Sequence, residues 1–144
     1  MFKIENEFDL HTKFVEYIRR FYPECILVAT LGKNQETSCK RINSWKLGYT
    51  KGPPDLLLMN YHKDYTGCCI EFKSPCNNYQ ISEAQKEMKK RYKENGCYFI
   101  LSNDYDLIIQ YLNEYMQGIR VPCKYCGKSF LSKETRKTHY KIIH

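Results

Sequence analysis

The sequence predicts a mixed α/β domain over residues 1–118, followed by a small separate unit at 119–144. Three observations carry that reading. Helical-period segments flank a block of short, β-branched runs. A further strand-like run, "CYFILS", stands between two helical segments. The last stretch then changes character, to closely spaced Cys and His among Lys and Arg. The larger part reads α-β-β-β-α-β-α, an order that packs helices against a mixed sheet.

The elements follow in turn. Residues 6–22, "NEFDLHTKFVEYIRRFY", place Phe8, Phe14, Val15, Ile18, Phe21 and Tyr22 at helical spacing, and Pro23 stops the helix. "CILVAT", 25–30, is β-branched and apolar, hence a strand. Residues 31–53 are polar and hold Gly32, Asn34, Asn43, Gly48 and Gly52, so they read as one long loop, a length that usually serves function. "DLLLMN" and "CCIEFK" are strands joined by the hairpin "YHKDYTG". A helix runs from Ser82 to about Asn95, opened by the capping box Ser82–Gln85 and closed by Gly96. "CYFILS", 97–102, is a strand, 104–116 is a helix ended by Gly118, and "QGIRVP", 117–122, reads as a linker.

The 144 residues fit one domain with an appendage. Of the 23 Lys and Arg, seven fall in 119–144 beside a single acid, Glu134, so most of the +7 net charge sits there. Such a patch favours a polyanion through counterion release. No apolar run approaches the roughly eighteen residues of a membrane span. The start, "MFKIENEFDL", has no apolar signal core. The expectation is an intracellular chain, nuclear or cytoplasmic and not secreted. Its eight cysteines are then reduced or metal-bound rather than a disulfide framework.

A hairpin centred on Lys63 puts Asp55 opposite Glu71, and Lys73 shares a strand face with Glu71. Three charged side chains would then meet at one end of two strands. Two close carboxylates repel, and burying them costs more. A divalent cation relieves both costs. Magnesium (or manganese) takes hard oxygen ligands and keeps waters, so Asp55, Glu71 and the backbone carbonyl of Phe72 suit it. Lys73 would orient an attacking water or hold a phosphate oxygen. The same residues also allow a plain edge-strand ion pair with Asp55 as a turn residue.

"PPD", Pro53–Asp55, followed fifteen residues later by "EFK", Glu71–Lys73, resembles the PD-(D/E)xK nuclease superfamily. "GYTKGPPDL", 48–56, and the run from Glu71 to Leu112 resemble its VRR-NUC branch, and the likeness covers about residues 5–116. The resemblance implies a restriction-endonuclease-like core and magnesium-dependent cleavage of DNA. It also implies site roles for Gln85, at the start of the helix after the Glu-x-Lys strand, and for Glu7. His11 stands where that branch usually has Gln. Gln85 can equally be closing its helix, and Glu7 can simply complement the helix dipole.

Lys40, Arg41, Lys46 and Lys51 in the 31–53 segment, interleaved with Trp45, suit phosphate contacts and base stacking. Trp45 itself is expected to lie on the core. At the C-terminus, Cys123-x2-Cys126-x12-His139-x4-His144 is a tetrahedral zinc spacing. The segment resembles a ββα C2H2 zinc finger, with Phe130 at the core aromatic position and Arg136 where a core Leu belongs. Its base-reading positions, Ser132, Thr135 and Thr138, are too short for bidentate base contacts. Lys128, Lys133 and Lys137 are therefore expected to hold phosphates. Cys25, Cys39, Cys68, Cys69, Cys76 and Cys97 lack metal spacing.

Together these features point to a magnesium- and zinc-containing endonuclease of DNA repair or recombination. Stand-alone members of the resembling branch imply a homodimer acting on branched DNA such as a four-way junction. The alternatives are a sequence-specific restriction-like enzyme and a DNA-binding adaptor with an inactive core.

Overall fold

The computed structural model describes residues 3–30, 38–60, 62–76, 78–119, 121–122 and 129–130. Helix α1 spans Glu7–Phe21. Asn6 caps it, accepting from the Asp9 N–H at 2.9 Å. Its buried stripe is Leu10, Phe14 and Ile18, each four residues after the last. Phe8 and Phe21, expected in the core, are exposed instead. Phe8 is two residues, more than half a helical rotation, from Leu10, and Phe21 packs on Tyr17 at 4.6 Å.

Strand β1 is Leu27–Ala29, β2 is Leu56–Leu58, β3 is Cys68–Phe72 and β4 is Tyr98–Ser102. They form one sheet in the order β1-β2-β3-β4. The first two pairings are antiparallel and β3–β4 is parallel, which makes the sheet mixed as expected. The β2–β3 register pairs Leu56 with Ile70 and Leu58 with Cys68, the pairing of a hairpin centred on Lys63.

Side chains alternate across this sheet. Leu56, Leu58, Ile70, Phe72 and Ile100 join Leu10, Phe14 and Ile18 of α1 in one core. Ile108, Leu112 and Tyr115 complete it from α4, Tyr105–Met116. Full burial of each such side chain is worth about 1.5–3 kcal/mol. Helix α3, Glu83–Glu94, reaches the opposite face, where its Gln85 meets Glu71. Covered on both sides, β3 is buried at every position.

Three further expectations need correction. Residues 31–53 are not a continuous loop, since Ser38–Lys46 form helix α2. Its end is a Schellman motif, with Gly48 N–H donating to Trp45 O at 3.0 Å and Tyr49 N–H to Ser44 O at 2.9 Å. Gly48 supplies the positive φ of 95° that the motif requires. Trp45, expected on the core, is 72% exposed.

Nor is 117–122 a free linker. Ile119 is buried and bridges to His62. The Gly118 carbonyl accepts from the Lys63 N–H at 3.0 Å. A Cβ on Gly118 would lie 2.0 Å from His62 Nε2, so only glycine fits there. Val121–Pro122 (β5) then pairs antiparallel with Ser129–Phe130 (β6). The expected zinc ligands Cys123, Cys126, His139 and His144 lie outside the described residues, as do Lys128, Lys133 and Lys137.

Candidate active site

Asp55 enters the sheet from two prolines, and β1 pins it in place. Thr30 Oγ1 donates to the Pro54 carbonyl at 2.6 Å, and the Thr30 N–H donates to the Asp55 carbonyl at 3.1 Å. The Asp55 side chain then crosses to β3, where Oδ2 accepts from the Phe72 N–H at 2.8 Å. This bond continues the β2–β3 ladder one residue past the end of β2, with a carboxylate as the acceptor.

Glu71 lies between Ile70 and Phe72, so it points away from the core that holds both neighbours. It is nonetheless only 2% exposed. Burial of a carboxylate demands partners. Lys73, on the same strand face, donates from Nζ to Glu71 Oε1 at 2.8 Å. Gln85 Nε2 donates to the same oxygen, and Lys73 Nζ also reaches Gln85 Oε1 at 3.3 Å.

Gln85 closes its helix and also contacts Glu71. Its Oε1 accepts from the Ser82 N–H at 3.2 Å, and its own N–H donates to Ser82 Oγ at 3.2 Å, a complete capping box. One side chain thus closes α3 and braces Glu71.

Asp55, Glu71 and Gln85 line a cavity of about 220 Å³, together with Thr30, Tyr49 and Lys51. Gly52 lies in the wall with φ 89°, so close to α3 that a Cβ would sit 2.6 Å from the Ala84 carbonyl oxygen. Lys51 is exposed at this wall, whereas Lys73 is buried and does not line it. Lys40 and Lys46 are exposed on α2, and Arg41 belongs to the same helix. Glu7 is the first residue of α1 and is absent from the cavity lining.

One turn along α1 from Glu7, His11 stacks on Phe72 with ring centroids 4.6 Å apart. Burial holds its imidazole below the ordinary value, and the Asp55 carboxylate pulls partly the other way. His11 thus adjoins the carboxylate site, a placement its position in the sequence hinted at only through the helical repeat. Tyr49 and Thr30 were missed as lining residues. Thr30 was legible from the β1–β2 register, which continues from Ala29–Leu56 to Thr30–Asp55.

The donor set fits a hard divalent cation. Asp55 and Glu71 both line the cavity, whose space exceeds several times the roughly 30 Å³ that a liquid water occupies. The N–H and C=O of one strand residue face the same edge, so the Phe72 carbonyl shares the edge from which its N–H meets Asp55. Among the described residues no group of three or more His, Cys, Asp or Glu could hold a metal ion.

No helix of the described residues is long and apolar enough to cross a membrane. No family model matches the chain, and no curated protein matches it by sequence. Its fold, however, has a counterpart among solved structures. A chain described as a "VRR_NUC domain protein" is similar with a TM-score of 0.63 and 20% identity, covering 79% of this chain and 90% of its own. The helices and mixed sheet that position Asp55 and Glu71 thus follow the fold of a VRR_NUC domain protein.

Proposed function

We propose that the chain is a metal-dependent nuclease that hydrolyses phosphodiester bonds in DNA. The observation that carries this reading is that Asp55 and Glu71 both line one cavity, with Glu71 braced by Lys73 and Gln85. The fold shared with a VRR_NUC domain protein supports it.

In this reading Asp55, Glu71 and the Phe72 carbonyl hold magnesium or manganese. The ion supplies charge neutralisation between the carboxylates and polarisation of the phosphate. The chain does the positioning. Phe72 N–H fixes one Asp55 oxygen, and Lys73 with Gln85 fixes one Glu71 oxygen. The second oxygens are thereby oriented without further loss of side-chain freedom. Lys51 offers a cation to the phosphate on the exposed side, and Gly52 lets the backbone pass close to α3.

The substrate class in this proposal is branched DNA, cut by a homodimer whose two sites address two strands. The 119–144 segment binds zinc through Cys123, Cys126, His139 and His144 and tethers the enzyme to phosphates without reading bases. Cleavage of four-way, flap and linear DNA with magnesium, by wild type and Asp55→Ala, tests the assignment. Magnesium-dependent cleavage by wild type alone, greatest on branched substrates, is expected. Equal cleavage by the two proteins removes the proposed centre. Metal analysis is expected to give one zinc per chain, lost in Cys123→Ser.

A further inference from the structure

The chain has a single tryptophan, and it lies in water. Trp45 is 72% exposed near the end of α2. An indole left in solvent gives up a large burial gain, which asks for a ligand that covers it. Ile42 and Leu47 are exposed beside it in sequence, at 55% and 90%.

The charge around the ring says what kind of ligand fits. From Ser38 to Gly52 the chain carries Lys40, Arg41, Lys46 and Lys51 and no acid. A protein-docking face would mix signs or exclude charge, whereas a cationic stretch around a flat ring matches an anionic, aromatic polymer. The position agrees. The Trp45 carbonyl accepts from Gly48 N–H, and Tyr49 N–H donates to the Ser44 carbonyl, so a hydrogen-bonded turn joins the Trp45 backbone to Tyr49. Tyr49 and Lys51 then line the cavity that contains Asp55 and Glu71.

We infer that Trp45 is a stacking platform for an unpaired base of the nucleic acid, held beside the carboxylate cavity. The inference rests on the nuclease reading and deepens it. In a closed duplex each base is already stacked and paired, so a protein ring gains little. At a flap, gap or junction an unpaired base is free to stack, and the platform selects such sites without reading sequence. Cations on the same stretch hold the flanking phosphates.

The lone tryptophan makes the test direct, because emission excited at the red edge of the indole band, beyond the absorption of the 13 tyrosines, reports on residue 45 alone. The full chain is titrated, without added magnesium, with a short single-stranded oligonucleotide, a flap and a blunt duplex of equal length. Quenching by the first two and little change with the duplex is expected. By anisotropy, Trp45→Ala should weaken single-strand and flap binding between about fivefold and about a hundredfold. Trp45→Phe should recover part of the loss, and Leu47→Ser should change nothing. Circular dichroism confirms that the variants fold.

Equal quenching by duplex and single strand, or unchanged affinity in Trp45→Ala, overturns the inference. So does emission indifferent to DNA but shifting with protein concentration, which would make this face a contact between copies of the chain. Cleavage is not part of these measurements. Quenching without any magnesium-dependent cleavage sinks the nuclease reading and leaves the platform. Cleavage lost in Asp55→Ala, with no quenching, does the reverse.

Discussion

The Phe72 N–H donates to Asp55 Oδ2 at 2.8 Å, so a carboxylate takes the ladder position that a backbone carbonyl would ordinarily hold. This bond makes Asp55 part of the sheet as well as part of the cavity, and it separates two effects of mutation. Asp55→Asn keeps an oxygen for Phe72 and should change stability by no more than about 1 kcal/mol. Its cleavage rate should fall by more than about a hundredfold, beyond what a neighbour of a metal ligand costs. Denaturant unfolding and single-turnover cleavage on the same preparations check the pair of values.

Glu71 and Lys73 differ from Asp55, because both are buried and each needs the other. Glu71→Ala should destabilise by about 3–5 kcal/mol, since it leaves an ammonium buried without its carboxylate. The double variant Glu71→Leu with Lys73→Met should recover most of that loss in urea unfolding while remaining inactive. A single variant as stable as wild type would contradict the buried pair.

Ser82→Ala and Gln85→Ala both break the α3 capping box, and each should cost about 1 kcal/mol. Only Gln85 touches Glu71. Cleavage should therefore drop in Gln85→Ala and stay close to wild type in Ser82→Ala at a temperature where both are folded. Equal activities would reduce Gln85 to a helix cap.

Gly52→Ala forces a Cβ to within 2.6 Å of the Ala84 carbonyl from a positive φ. A backbone atom cannot swing aside, so the first turn of α3 must move and carry Gln85 with it. Stability should fall by about 1–3 kcal/mol, and activity should fall further than stability explains. Thermal unfolding combined with cleavage at a fixed low temperature tests this.

Burial, with some help from Glu24, pushes the Cys25 thiol up from 9.0 to about 11, and burial raises the Cys68 and Cys69 thiols further. A raised value means that the fold keeps a proton the unfolded chain releases. The stabilisation is complete below pH 9 and is lost as pH rises toward 11, at about 1 kcal/mol per pH unit per thiol. The unfolding midpoint should therefore fall on going from pH 8 to pH 10.5. Alkylation at pH 8 should label the exposed Cys39 and Cys76 and spare Cys68 and Cys69 until denaturant is added.

How much of this was legible depended on whether a residue's partner was close in sequence. The β2–β3 register follows from hairpin length, so the pairing of Leu56 with Ile70, the neighbours of Asp55 and Glu71, could be read from the sequence. Ser82 and Gln85 announced the start of α3 by their spacing. Helix α2 could not be read from periodicity, because Ile42, Trp45 and Leu47 face solvent and none of its described side chains is buried. Only Gly48, as its stop, was visible. Leu10 was overlooked in favour of Phe8 because bulk outweighed position. The placement of His11 on Phe72 is a contact between α1 and β3 across 61 residues, which no local pattern encodes.

In the proposed reading Asp55 and Glu71 together hold a hard divalent cation. Manganese titration followed by electron paramagnetic resonance tests it most directly, on wild type, Asp55→Asn and Glu71→Gln. The wild type should show a manganese site that magnesium displaces and that either substitution abolishes. Undiminished binding in both variants would contradict it.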